Sequence, residues 1–355
     1  MFSVPTAALP QAPLTVVTRG DAIESTHFGS VAVVDREGML LYAAGDPFTL
    51  TFTRSALKPL QALPFVAADG PARFGFTQPE LALLCASHSG EQHHVEAAAA
   101  ILAKAGKAPA DLQCGAHPPL TFEARGVPPP PPPYSPLAHN CSGKHGGMLA
   151  CCVHWGHATG DYLVFDHPLQ QAIRRAVARF TVLPEEDLIS GVDGCSAPNY
   201  AMPLAHLALA YAKLVSPEPD ADFGRAPKIL ADAMTAHPEM VSGDARSDLA
   251  LARAGRGDWV AKIGAEGVQA VAIKSRGWGI AVKVADGSAR GLHPATVAVL
   301  VQLDLLDGAG ASGLAKWSSP TFRNHRGVVT GKGRGVVSLD RHDGAVNVAN
   351  NEVRK

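Results

Sequence analysis

Three stretches of this sequence carry residue types that could do chemistry together. The first is Ser55-Ala56-Leu57-Lys58. Ser55 opens a predicted helix, and residues three apart on a helix share a face, so Lys58 Nζ should reach Ser55 Oγ. A serine hydroxyl becomes a nucleophile when a neighbour takes its proton, and a desolvated lysine amine can do so. The second stretch is His139-Asn140-Cys141-Ser142-Gly143-Lys144-His145-Gly146-Gly147, and the third is Asp193-Gly194-Cys195. Both thiols stand beside glycines, in predicted loops suited to close approach by a ligand. Two thiolates with nitrogen donors suit zinc. On residue type alone the nitrogens would come from His139 or His145. A Cys141 nucleophile with a histidine base is the competing chemistry, and two unreactive core thiols the third reading.

The order of other pieces bears on the first stretch. Ser87 follows a predicted apolar helix, and Lys262-Ile263-Gly264 falls in a predicted strand. A Ser-x-x-Lys, a second serine after a helix and a Lys-x-Gly strand occur in that order in penicillin-recognising enzymes. Ser89 stands where that pattern has asparagine, and Lys274 and Lys283 in neighbouring predicted strands are alternatives to Lys262. His93 and His94 read as surface residues of a helix, and Cys85, Cys151 and Cys152 as core. Gly331-Lys-Gly-Arg-Gly335 lacks the strand–loop–helix context of a phosphate loop.

Composition narrows the function classes. With 46% hydrophobic and 18% charged residues, the 355-residue chain can bury a large core. A net charge of −1 leaves no basic surplus for nucleic acid or anionic lipid. Met1 to Leu14 lacks the pattern of a secretion signal, and no window is apolar for the length of a membrane span. The expectation is a cytoplasmic protein whose six cysteines are unpaired.

The elements that must position these residues follow from patterning. Leu14–Thr18, Ser30–Val34 and Met39–Ala43 read as strands, with a turn at Asp35–Gly38. Helices are expected from Ser55 onward, at Pro79–Ala86 and at Glu91–Ala105, with Pro59 tolerated in a first turn. The proline run Pro128–Pro133 gives a stiff, non-helical approach to the His139–Gly147 cluster, and Met148–Val153 reads as a buried helix. Helices follow at Pro168–Thr181, Pro203–Leu214 and Lys228–Ala236, with a tight loop at Gly191–Pro198. Strands at Trp259–Gly264, Val268–Ser275 and Gly279–Val284 precede a closing helix at Pro294–Leu306. Strands, helices, then strands predict an α+β fold whose antiparallel sheet combines both chain ends. Residues 1–54 and 257–340 would be mainly sheet and 55–256 mainly helical, forming one catalytic unit over 1–355.

Four segments, Arg54-Ser-Ala-Leu-Lys-Pro59, Cys85-Ala-Ser-His-Ser-Gly90, Asn140-Cys-Ser-Gly-Lys-His145 and Gly191-Val-Asp-Gly-Cys-Ser-Ala-Pro198, resemble the rhizobial-type (thermolabile, inducible) L-asparaginase family. The resemblance runs from Arg19-Gly20 to about Gly335. It implies a fold like serine β-lactamases, penicillin-binding proteins and bacterial glutaminases, and hydrolysis of L-asparagine to L-aspartate and ammonia. Carried over by position, Ser55 with Lys58 would form one Ser-Lys tandem and Ser87 with Lys262 the other. Cys141, Lys144 and Cys195 would hold zinc with a water as fourth ligand, and Arg54, His88, His139 and Asp193 would serve the substrate. Ser55 is the favoured nucleophile, with Ser87 as nucleophile or proton relay. The resemblance also implies a homodimer. A glutaminase, a β-lactamase-like hydrolase and a non-catalytic zinc-binding protein of the same fold are the alternatives.

Overall fold

A computed structural model describes residues 11–342, 346–350 and 352–353. Most of Met1–Leu14, read above for a secretion signal, lies outside them. The main sheet is antiparallel and draws on both chain ends, as the patterning predicts. Its N-terminal strands are β1 (Ala12–Arg19), β2 (Ala22–Asp35) and β3 (Leu40–Ala44). A separate three-stranded sheet is formed by β4 (Leu50–Phe52), β5 (Ile189–Val192) and β6 (Pro198–Pro203). The main sheet continues with β7 (Trp259–Gly264), β8 (Val268–Ile273), β9 (Trp278–Val284), β10 (Thr321–Arg323), β11 (Val329–Gly335) and the short β12 (Asp340–Arg341).

The long strand β2 organises the sheet. Along one edge its first half pairs with β1 and its second half with β3; along the other it pairs with β9, from Gly29↔Val284 to Asp35↔Trp278. Outward from β9 lie β8 and then β7, and outward from β1 lie β11 and β10. The glycine-rich 331–335 segment is therefore strand, paired with β1, and not a phosphate loop.

Both faces of the sheet are covered, which is why Val31–Val34 is continuously apolar and Val268–Ile273, apart from Gln269, is apolar and buried throughout. Val31 and Val33 point into one cluster, against Leu292, Ala295 and Val299 of the helix Ala289–Gln302. Ala32 and Val34 point the other way, into the larger core of the helical part. That core is led by the helix Leu204–Leu214, whose Ala208 carbonyl sits so close to Gly279 that no β-carbon would fit.

The helical part follows the predicted order with shifted ends. Gln78–Leu84 begins with a capping box between Thr77 and Glu80, and Gln92–Lys104, Pro168–Thr181 and Ala226–Ala236 match their patterns within a few residues. Three differences matter for the site. Ser55 lies on a 3-10 turn, Arg54–Leu57, and the α-helix proper starts at Lys58, with Pro59 in its first turn as expected. The cluster expected in a loop is mostly helical: Ser142–Trp155 is one helix with Cys141 as its N-cap residue. The predicted tight loop at Gly191–Pro198 is the turn of the β5–β6 hairpin. The closing helix starts at Ala289, earlier than predicted, because the Ser288 hydroxyl caps it and Pro294 is accommodated inside. A further helix, Ser247–Ala254, was not predicted. The proline run is exposed and outside regular structure.

Candidate active site

The Ser55 turn is held under strain. Arg54 has a φ of 48°, a left-handed conformation uncommon for a residue with a side chain. Asn199 at the start of β6 fixes it from both sides: its Oδ1 accepts from Arg54 N at 3.0 Å, and its Nδ2 donates to Arg54 O at 3.0 Å. The Arg54 guanidinium reaches the same hairpin and donates to Asp193 Oδ1 at 2.8 Å, which also accepts from Gly194 N at 2.8 Å. Burial raises the Asp193 carboxyl, but the cations of Lys144 and Arg54 outweigh it and hold the group below its usual range. Arg54 and Asp193 thus serve each other, joining the turn to the β5–β6 hairpin.

Lys58 is fully buried, and its partner differs from the predicted one. Its Nζ is 2.9 Å from Ser87 Oγ, 2.6 Å from Ala86 O and 3.4 Å from Asn140 O. No hydrogen bond from it to Ser55 forms among the described residues. Lys58 opens the α-helix that follows the 3-10 turn, and its amine is directed inward onto Ala86 O, Ser87 Oγ and Asn140 O. Ser87 itself is almost fully buried, with its backbone N–H donating to Val241 O at 2.9 Å.

Lys262 is fully buried in β7, donating to Ile263 O at 2.7 Å, with Asp248 Oδ2 at 3.7 Å. Burial pushes it down to about 7, against the pull of Asp248 and with the help of the nearby Lys58 and Arg246 cations. The alternatives lie elsewhere: Lys274 binds Asp232 and Thr235, and Lys283 binds the backbone of Glu266 and Val284. Cys85, a core thiol as expected, is pushed up to about 12 by burial, despite the pull of Lys262 and Lys58.

A cavity of about 260 Å³ brings these elements together. Ser55, Ser87, Asn140, Arg246, Gly264 and Glu266 are among its lining residues. Gly264 is needed for that assembly, because a β-carbon there would stand 2.7 Å from Thr53 O. Its absence lets the end of β7 lie against the Ser55 turn.

Next to this cavity is the thiol cluster. Lys144 Nζ donates to Cys195 Sγ at 3.0 Å, and Cys141, Lys144 and Cys195 are all buried. Gly143, Gly146 and Gly147 serve helix packing: β-carbons there would collide with Leu83, Ile101 and Leu84. The Cys141 thiol is pulled well below its ordinary value, first by its hydrogen bond with Cys195 and then by the Lys58 and Lys144 cations. Against burial, Cys195 and Cys141 hold the Lys144 ammonium in its charged form. His139 Nδ1 already accepts from Cys141 N at 3.0 Å, and His145 Nδ1 pairs with Tyr162 OH at 2.7 Å. Among the described residues His145 Nε2 has no hydrogen-bond partner within normal distance, and its ring lies near Cys195. Two buried thiols and a buried amine are donor types that a metal can take, with Lys144 Nζ and Cys195 Sγ already in contact.

The structure places the remaining histidines away from the cavity. His88 is buried, with Nε2 on Ser142 Oγ at 2.8 Å and Nδ1 accepting from Gly90 N at 3.1 Å. It ties the Ser87 loop to the Ser142–Trp155 helix. Glu91, His93 and His94 bring potential metal-ligand atoms within 4.8 Å of one another, a possible metal-binding cluster. His93 is exposed as expected, but His94 is buried, stacked on His88 and bonded through its ring to Glu91 N and Glu239 O. Asn199, Arg246 and Asp248 lie at or beside the cavity and escaped the sequence reading, and Asn140 was given there only as part of a motif, with no role. None sits in a spacing that marks a helix face or a ligand set, though Asn140 and Asn199 adjoin the two cysteine motifs.

With this geometry in view, the comparisons are informative. The sequence pattern of the L-asparaginase II family matches residues 15–334. The chain belongs to that family. Membership supports L-asparaginase activity in general, an amide hydrolysis on a small molecule. No curated protein matches the chain. Among solved structures it is similar to a β-lactamase from Mycobacterium bovis, with 16% identity and a TM-score of 0.41, over 77% of this chain and 94% of that one. It is also similar to Mglu in its native form, with 16% identity and a TM-score of 0.36 over 79% of this chain. The match spans 65% of Mglu. Among the described residues, no helix of this L-asparaginase II family member is long and apolar enough to cross a membrane.

Proposed function

We propose that the protein hydrolyses L-asparagine to L-aspartate and ammonia by acyl transfer through a serine. The observation that carries this reading is the buried Lys58 Nζ–Ser87 Oγ contact of 2.9 Å, opening on a cavity that also contains Ser55. Ser55 is the nucleophile, being half-buried on the cavity wall, while the Ser87 hydroxyl is engaged by the lysine. Lys58, bonded to the Ser87 hydroxyl, draws the Ser55 proton through that hydroxyl as Ser55 attacks. Ser55 Oγ bonds to the side-chain carbonyl carbon of asparagine, the C–N bond breaks, and the proton leaves with ammonia. Water then cleaves the ester, with Lys262 as the second base beneath the cavity floor. The backbone N–H of Ser55 would help to stabilise the oxyanion.

Cys141, Lys144 and Cys195 would hold zinc, with a water as the fourth ligand. When bound, the metal supplies a positive charge beside the cavity. Arg54 and Asp193 position the Ser55 turn, and His88 and His139 brace the Ser87 loop and the Cys141 cap. The whole chain acts as one catalytic unit, as a cytoplasmic homodimer. The test is ammonia release from L-asparagine, with L-glutamine alongside, by purified protein. Release from asparagine supports the reading, and no release from either amide overturns it.

A further inference from the structure

Arg246 lines the cavity that contains Ser55 and Ser87. Among the described residues its guanidinium forms no ion pair and donates no hydrogen bond. A half-buried guanidinium offers five donors in a rigid fork, and burial disfavours its charge unless a partner is present. Of the carboxylates near it, Asp248 accepts from Ile263 N and Gln269 Nε2 and Glu91 from Arg125 and Thr121, while Glu123 lies beyond ion-pair distance. Among the described residues the Arg246 guanidinium thus lines the cavity without an ion-pair partner of its own.

The chain invests in placing it there. Gly243 and Ala245, at φ of 105° and 62°, turn the backbone just before Arg246. Val241 O accepts from Ser87 N at 2.9 Å and Ser242 O from Ser89 Oγ at 2.8 Å, while Asp248 Oδ2 accepts from Ile263 N at 2.8 Å. Residues 241–248 are thereby stitched to both the Ser87 loop and β7. Glu266 lines the same cavity with a carboxylate that forms no ion pair among the described residues. Both charges of a zwitterion therefore find a counterpart beside the serines.

We propose that Arg246 binds the α-carboxylate of the substrate and so restricts the cavity to amides that carry one. This rests on the asparagine-hydrolysis reading above. The experiment compares L-asparagine with 3-aminopropanamide, the same amide without the carboxylate, in wild type, Arg246→Gln and Arg246→Lys. Calorimetric titration with L-aspartate runs in parallel. Wild type should favour asparagine, and in Arg246→Gln the ratio of kcat/KM for the two amides should fall about 10- to 100-fold, chiefly through KM. L-Aspartate should bind more weakly by a similar factor, with Arg246→Lys in between. Should the glutamine variant misfold, the lysine variant carries the comparison. An unchanged ratio, or unchanged L-aspartate affinity, overturns the proposal. If wild type binds L-aspartate through Arg246 yet releases no ammonia, the hydrolase reading fails and the carboxylate site stands. If wild type does not bind L-aspartate, the carboxylate site fails whatever is hydrolysed.

Discussion

At the scale of single residues, the two serines can be separated by substitution. Ser55→Ala should lower kcat by about 1,000-fold or more with little change in KM, because it removes the bond-forming oxygen. Near-normal turnover would instead make Ser87, already bonded to Lys58, the nucleophile. Lys262 gives the site its pH dependence. Its amine, pushed down to about 7, is ionised below that pH and available as a base above it, so kcat/KM should rise as pH passes through about 7. Asp248 at 3.7 Å favours the ammonium form. Asp248→Asn removes that negative charge, lowers the amine further and should move the acidic limb to lower pH; a limb that stays in place or moves up would sink the assignment. The same depressed value has a stability consequence with a definite sign. The unfolded lysine keeps its proton up to about 10.5, so the penalty for a buried ammonium is full below about pH 7 and fades as pH rises towards 10.5.

At the scale of elements, the proposed zinc donors come from the N-terminus of one helix and the turn of one hairpin. Removing the metal with a chelator, or substituting Cys195→Ser, should abolish stoichiometric zinc by elemental analysis. It should also speed amide exchange at residues 193–197, since that turn then loses the metal's link to the Ser142–Trp155 helix. Unchanged exchange after verified metal loss would mean that the metal does not hold the hairpin. Gly143 tests a different link, the packing of the Ser142–Trp155 helix on Gln78–Leu84. A β-carbon at Gly143 would lie 2.5 Å from Leu83 O, so Gly143→Ala should destabilise the protein by about 1–3 kcal/mol, read as a lower Tm.

These elements also show what was legible in the sequence. Val31 and Val33, buried against one layer, and Ala32 and Val34, buried against the other, announce a strand covered on both faces through apolar continuity alone. The Pro168–Thr181 helix is equally readable, as a strong amphipathic repeat that starts on a proline. Gly143, Gly146 and Gly147 mislead because three glycines within five residues read as loop, whereas here they let helices touch. The Ser-x-x-Lys spacing predicts a Lys58–Ser55 bond, whereas Lys58 Nζ bonds Ser87 Oγ, a long-range contact that no local spacing encodes. Arg246 and Asp248 carry no motif; their place depends on left-handed Ala245 and on contacts to segments far away in the chain.

At the scale of the whole molecule, the sheet built from both ends has a consequence for how the protein is made. Strand β2 is complete early in synthesis, yet its partner β9 leaves the ribosome roughly 240 residues later, on the order of 10–50 s at ordinary elongation rates. Until then the apolar run Val31–Val34 has β3 along one edge and nothing along the other, a template for pairing with another nascent chain. The helical segments between can collapse in the meantime, but the cavity cannot form, because the end of β7 that meets the Ser55 turn emerges late. Slowing translation after residue 200 should therefore lower the yield of active protein more than its total synthesis. Chaperones that shield the first hairpin should restore it.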